Sequence, residues 1–96
     1  MKVYLAGKIT GDKNYREKFD AAERMLEEEG HIVISPAVLP EGLTKADYMR
    51  ICMAMIDGAD VVAFLPDYDE SYGALIEFSY CGYTEKPTWL LNDGDF

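Results

Sequence analysis

Asp60-Val61-Val62-Ala63-Phe64-Leu65 is a nearly continuous apolar run bounded by an aspartate before it and Pro66 after it. Six residues is strand length, and an unbroken apolar run marks a strand covered on both faces, as in a parallel sheet. Working downstream, Pro66 to Glu70 is an acidic loop, Ser71 to Thr84 reads as a buried helix, and Pro87-Thr88-Trp89-Leu90-Leu91 supplies a final strand. Working upstream, Thr44-Lys45-Ala46-Asp47 opens a helix that runs to about Asp57. Before it come a Pro- and Gly-containing loop, Ala37 to Leu43, and a short strand, Ile32-Val33-Ile34, stopped by Ser35-Pro36. A first helix starts near Asp12 or Asn14, places Tyr15, Phe19, Ala22 and Leu26 on one face, and ends at Gly30. Lys2-Val3-Tyr4-Leu5-Ala6 is the opening strand, followed by a turn from Gly7 to Gly11.

Strands and helices therefore alternate along the whole chain. Right-handed crossovers turn that order into an α/β fold: a small doubly wound, flavodoxin- or Rossmann-like parallel sheet of about four strands with three main helices. In such a sheet ligands bind at the carboxyl ends of the strands, where the strand order reverses. The loops expected there are Gly7 to Gly11, Ser35 to Leu43 and Pro66 to Tyr72. Residues 1–96 read as one domain, since 96 residues suffice for a single core but leave little for a deep pocket. The helix from Thr44 is apolar on two sides: Met49, Cys52, Met53 and Ile56 make a core stripe, while Tyr48, Ile51 and Met55 make a second. That second stripe is expected to meet another subunit, with coverage by the long loop as the alternative.

Composition narrows the classes of partner. An apolar fraction of 49% is that of a folded chain, and a formal net charge of −9 argues against nucleic-acid polymers and anionic membranes, which require clustered Lys and Arg. A small phosphorylated ligand is compatible, because local backbone N–H groups can hold it. Cys52 and Cys81 match no metal or redox spacing and read as buried free thiols, and the single histidine, His31, follows Gly30 at a helix end. No metal and no cofactor is expected. Met1-Lys2 leads straight into a strand, with no apolar stretch of membrane-spanning or signal length, so a cytoplasmic location is expected.

The chemistry-bearing candidate is Glu77, the only charged residue between Ser71 and Thr84. A buried carboxylate must find a partner, shift its pKa or face a cavity. Helical side chains lean toward the N-terminus, so Glu77 should reach over Gly73 and Ala74, two small residues that leave a void. That void opens toward the helix N-terminus, where free N–H groups suit an anion and Ser71 can cap the helix or bind a phosphate. The alternative is a solvated glutamate on a helix whose Gly73 merely allows close approach to a strand.

Several patterns then fall in one order: Tyr4-Leu5-Ala6-Gly7-Lys8-Ile9-Thr10-Gly11, Ile34-Ser35-Pro36, Asp60-Val61-Val62 and Ser71-Tyr72-Gly73-Ala74-Leu75-Ile76-Glu77. Together they resemble the nucleoside 2-deoxyribosyltransferase superfamily, most closely its short, poorly characterised branch and more distantly the 2′-deoxynucleoside 5′-monophosphate N-glycosidases. The similarity covers most of the chain. The resemblance implies that Glu77 is the nucleophile that attacks the anomeric carbon of a (deoxy)nucleoside or its 5′-monophosphate and expels the base. It also implies that Ser71, Gly73, Tyr4 and the loop of Gly7, Lys8, Ile9, Thr10 and Gly11 bind substrate, Ser71 at the 5′-phosphate.

In one place the chain departs from the family. Active members carry an aspartate on the helix before the third strand; here that place falls near Cys52, with Asp47 and Asp57 each more than a helical turn away. Asp67 or Asp69 is then expected to supply the second carboxylate. An enzyme of this class is the leading expectation, a catalytically idle nucleotide-binding or nucleotide-sensing module the alternative, and a small homo-oligomeric interaction protein the third. Relatives are commonly dimeric or larger and complete the site with a neighbour's residues, a role open to Tyr83 and the Asn92 to Phe96 tail.

Overall fold

The computed structural model describes residues 1–95. Phe96, the last residue of the tail just named, lies outside the described residues. Four strands, β1 (Lys2–Ala6), β2 (Ile32–Ile34), β3 (Val61–Phe64) and β4 (Thr88–Leu90), alternate with three helices, α1 (Tyr15–Glu28), α2 (Lys45–Asp57) and α3 (Tyr72–Thr84). The strands form one sheet in the order β2-β1-β3-β4, and every neighbouring pair is parallel. This is the doubly wound α/β fold expected from the alternation.

The strand period of two sorts the core into two layers. Val3, Leu5, Val61 and Ala63 point to one face and pack with Phe19, Ala22 and Leu26 of α1. Tyr4, Ala6, Val62 and Phe64 point to the other and pack with Cys52 and Ile56 of α2 and Cys81 of α3. β1 and β3 run side by side in the middle, with Val3 opposite Val61 and Ala6 opposite Phe64. The chain leaves β1 through α1 toward β2, but α2 brings it back across the sheet to β3. Their carboxyl ends therefore diverge into loops that part company, and a crevice opens between them.

The helix ends are set locally. Thr44 accepts from the Asp47 N–H while the Asp47 carboxylate accepts from the Thr44 N–H, a reciprocal cap that fixes the start of α2. Ser71 caps α3 by accepting from the Ala74 N–H at 3.2 Å. Phe64, Tyr68 and Phe78 meet with ring centroids 5.1 to 5.3 Å apart and pin the loop after β3 against α3.

Two expectations about helix burial change. The segment read as a buried helix is buried along one narrow stripe only: Ala74, Glu77 and Cys81, at i, i+3 and i+7. Tyr72 is 82% and Tyr83 92% exposed, and Leu75, Ile76 and Phe78 are exposed as well. The reason lies in topology, because α3 crosses between β3 and the three-residue margin strand β4 and presents one edge to the sheet. On α2, by contrast, Tyr48, Ile51 and Met55 are half-buried, so the larger open apolar surface belongs to α3.

Candidate active site

The crevice begins where β1 and β3 end. A Cβ on Gly7 would lie 2.6 Å from Leu65 Cδ1 and 2.9 Å from Leu65 Cβ, so only glycine lets the two strand ends approach this closely. Beyond it the loop turns through Gly11, whose φ of 85° is left-handed. Lys18 on α1 fixes this loop: its ammonium donates to the Lys8 carbonyl at 2.8 Å, to Asp12 at 2.7 Å and to the Asp67 carboxylate. Asp67 also accepts from the Lys8 N–H at 3.1 Å. Burial lowers the Lys18 pKa, but the hydrogen bonds from Asp12 and Asp67 outweigh it and hold the ammonium above its ordinary value.

Glu77 sits on the opposite wall. It is 7% exposed, and among the described residues its hydrogen-bond partner is Tyr4, whose hydroxyl donates to Oε2 at 2.6 Å. Tyr4 stands on β1 facing α2 and α3, so the contact spans the sheet-to-helix interface. Burial pushes Glu77 up to about 7, against the opposing pull of the Tyr4 hydrogen bond. Burial, and then the charge of Glu77, push the Tyr4 phenol well above its usual range, so Tyr4 remains the donor. No Lys or Arg among the described residues pairs with Glu77.

Between the two walls lies a cavity of about 810 Å³. It brings together Gly7, Ile9, Thr10 and Gly11 from the first loop with Ser71, Gly73 and Glu77 from α3. Tyr4 reaches it through Glu77. Gly73 and Ala74 line it together with Glu77, and a Cβ on Gly73 would meet Ser71 Oγ and Met49 Cε in ordinary contact at 3.9 and 4.0 Å. Ser71 accepts from Ala74 and keeps its own hydroxyl hydrogen to donate into the cavity.

Besides Tyr4, three expected residues do not line it. Lys8 has its amide taken by Asp67 and its carbonyl by Lys18, and its side chain lies beside Gly11. Asp67 is turned away into the Lys18 cluster, where two cationic or N–H donors occupy it. Asp69 is exposed on the 3-10 turn Tyr68–Glu70. Neither aspartate is therefore in place as a second carboxylate beside Glu77, because the loop that carries them is bound to the back of the first loop.

The sequence reading missed a third wall. Lys45, Tyr48, Met49 and Cys52 recur at i, i+3, i+4 and i+7 along α2 and line the cavity, as do Asp12, Tyr15 and Glu41 at its other side. Their spacing was visible, but Met49 and Cys52 sit in an apolar stripe indistinguishable from core. Burial raises the Cys52 thiol, keeping it protonated and neutral. Asp12 is ionised, its pKa lowered first by the Lys18 hydrogen bond and then by the Asn14 N–H. Glu41 accepts from the Tyr15 hydroxyl and from Arg16, both at 3.3 Å.

Among the described residues no group of three or more His, Cys, Asp or Glu side chains is placed to hold a metal ion. No helix of the described residues is long and apolar enough to cross a membrane.

Residues 1–88 match the family described as Domain of unknown function (DUF4406). No curated protein gives a match. A solved structure of the 2-deoxyribosyltransferase from Bacillus psychrosaccharolyticus, a biocatalyst for nucleoside synthesis, is similar with a TM-score of 0.73 at 23% identity. The similarity covers 94% of this chain and 71% of that one. The resemblance drawn from the motifs thus holds at the level of the fold.

Proposed function

The chain belongs to the family described as Domain of unknown function (DUF4406), and from that premise and the setting of Glu77 we propose that it cleaves the N-glycosidic bond of a nucleoside 5′-monophosphate or nucleoside. The reaction is hydrolysis or transfer through a glycosyl-enzyme ester. One observation carries this reading: a carboxylate 7% exposed, free of any Lys or Arg among the described residues, held by one tyrosine hydroxyl at the wall of a cavity at the strand-order reversal. A purely structural carboxylate would be paired, as Asp67 is. An unpaired one retains its electron density for an electrophilic carbon.

In the proposed sequence of steps the 5′-phosphate or hydroxyl lies at Ser71 and the start of α3, which places the sugar over Gly73 and its anomeric carbon toward Glu77. Ionised Glu77 stabilises oxocarbenium character and captures C1′, the base departs, and water or a second base then displaces the carboxylate. Tyr4 positions Oε2 and leaves the other oxygen for attack. Wild-type protein is expected to release free base from a panel of deoxynucleoside 5′-monophosphates, with Glu77→Ala and Glu77→Gln inert but Glu77→Gln still binding the nucleotide. Release by Glu77→Gln at the wild-type rate overturns the proposal.

The alternative, a nucleotide-binding module without turnover, is favoured by Cys52 standing at the cavity wall with no second carboxylate beside Glu77. Tight calorimetric binding with no base release over many hours is the result that selects it. We also propose that a second copy of the chain covers the exposed face of α3, at Leu75, Phe78 and Tyr83. A monomer by light scattering, unchanged by Tyr83→Glu, removes that contact.

A further inference from the structure

We propose that the substrate is a nucleotide whose glycosidic nitrogen is formally cationic, such as a pyridinium or N7-alkylated purine 5′-monophosphate, so that the base departs without receiving a proton. This inference rests on the glycosidase reading above and names its substrate class. The protons around the cavity are already committed.

A neutral nucleobase leaves as an anion unless an acid protonates it, and general-acid help of this kind contributes roughly 10²- to 10⁴-fold. Among the described residues of the wall no such acid stands beside Glu77. The Tyr4 proton is directed to Glu77 itself, and the Tyr48 hydroxyl donates to the Pro40 carbonyl at 2.6 Å. Asp12 is bound by the Lys18 ammonium, and Glu41 accepts from Tyr15 and Arg16, so both carboxylates act as acceptors. Cys52 is a buried thiol, a weak donor. Lys45 is exposed and stands seven residues from Cys52, about 10 Å along α2, and Tyr72, at the first residue of α3, is 82% exposed, five residues before Glu77.

The same inventory suits a cation. Asp12 and Glu41 are already paired with Lys18 and Arg16, and the Tyr15 ring with the Arg16 guanidinium, so the groups left to meet a cationic ring are the Tyr48 ring, whose face attracts cations, and Glu77 itself. A positive ring beside Glu77 also favours its ionised, nucleophilic form, whereas a neutral ring offers no such help to a carboxylate that burial holds near neutrality.

The electron balance closes without a further reagent. Glu77 forms the Oε–C1′ bond as C1′–N breaks, and the bonding pair returns to the nitrogen and cancels its positive charge. A neutral base leaves. Water then adds to C1′, the carboxylate is released, and one proton passes to solvent.

Base release is measured from nicotinamide mononucleotide and 2′-deoxy-N7-methylguanosine 5′-monophosphate, and from deoxyguanosine and deoxycytidine 5′-monophosphates. Each kcat/KM is divided by the uncatalysed rate of the same compound, which removes the greater intrinsic lability of the cations. The expected acceleration is roughly 10²-fold or more greater for the cationic pair, the size of the missing acid. Equal or greater acceleration of the neutral pair overturns this inference and leaves the glycosidase reading standing. Release from none of the four overturns both. Cys52→Asp, which places a carboxyl on the wall, is expected to raise turnover of the neutral pair more than that of the cationic pair. An unchanged ratio in a folded variant overturns the argument from the missing acid, and if the variant does not fold, the wild-type comparison decides.

Discussion

Asp67 and Glu77 sit on either side of the turn that enters α3, and their surroundings could hardly differ more. Asp67 meets the Lys18 ammonium and the Lys8 N–H. Glu77 meets one phenol, is 7% exposed and lines the cavity. A paired carboxylate at the loops is spent on holding backbone; an unpaired one in a low-dielectric wall is available for chemistry. Position near a crevice does not distinguish the two, whereas the inventory of donors does.

Substitution of the two carboxylates separates them most strongly. On the proposed mechanism Glu77→Gln is expected to lower base release by roughly 10³-fold or more, since it removes the proposed nucleophile. Asp67→Asn should retain turnover and weaken substrate binding by roughly tenfold through a loosened loop. Equal losses of kcat in the two variants would erase the distinction.

Stability offers the next largest effect. Burial raises Glu77 from the ordinary carboxylate value of 4.5 to about 7. The folded chain thus keeps a proton that the unfolded chain gives up. The resulting stabilisation is complete below about pH 4.5 and is lost as the pH rises through about 7, a change of roughly 3 kcal/mol. Urea unfolding at pH 5 and pH 8 should show it, and Glu77→Gln should remove most of the difference. A wild-type curve equally stable at both values would mean that Glu77 is better solvated than its burial indicates.

Smaller effects test the walls. Gly7→Ala drives a methyl into Leu65 and should destabilise by ~1–3 kcal/mol, read from the urea midpoint. Gly73→Ala meets only ordinary contacts, so it should stabilise α3 by ~0.5–1 kcal/mol while narrowing the cavity and weakening ligand binding. Opposite signs at the two glycines would distinguish a packing constraint from a space kept open.

Much of this was legible from residues alone. The apolar run at Asp60 to Leu65 and the alternation around it gave the doubly wound sheet, and the placing of Glu77 with Gly73 and Ala74 at the cavity followed from helical side-chain direction. Lys18 and Asp67 were not legible as partners, because they lie 49 residues apart and nothing local marks either. The α2 wall was hidden for a different reason: Met49 and Cys52 carry the periodicity of core residues, and periodicity reports a face without saying whether that face meets packed atoms or a cavity. The exposed side of α3 failed in the same way, since apolar composition does not reveal that the neighbouring strand is only three residues long.

What the sequence determined by itself is the order of elements, the crevice loops and the anomaly of one carboxylate in an apolar helix, since each is set by local period or local chemistry. Only the tertiary structure decided that Tyr4 is the partner of Glu77, that Asp67 belongs to Lys18 and that α2 closes the cavity. These are contacts between distant segments, and a charge takes its character from the donors and the dielectric that the fold places around it.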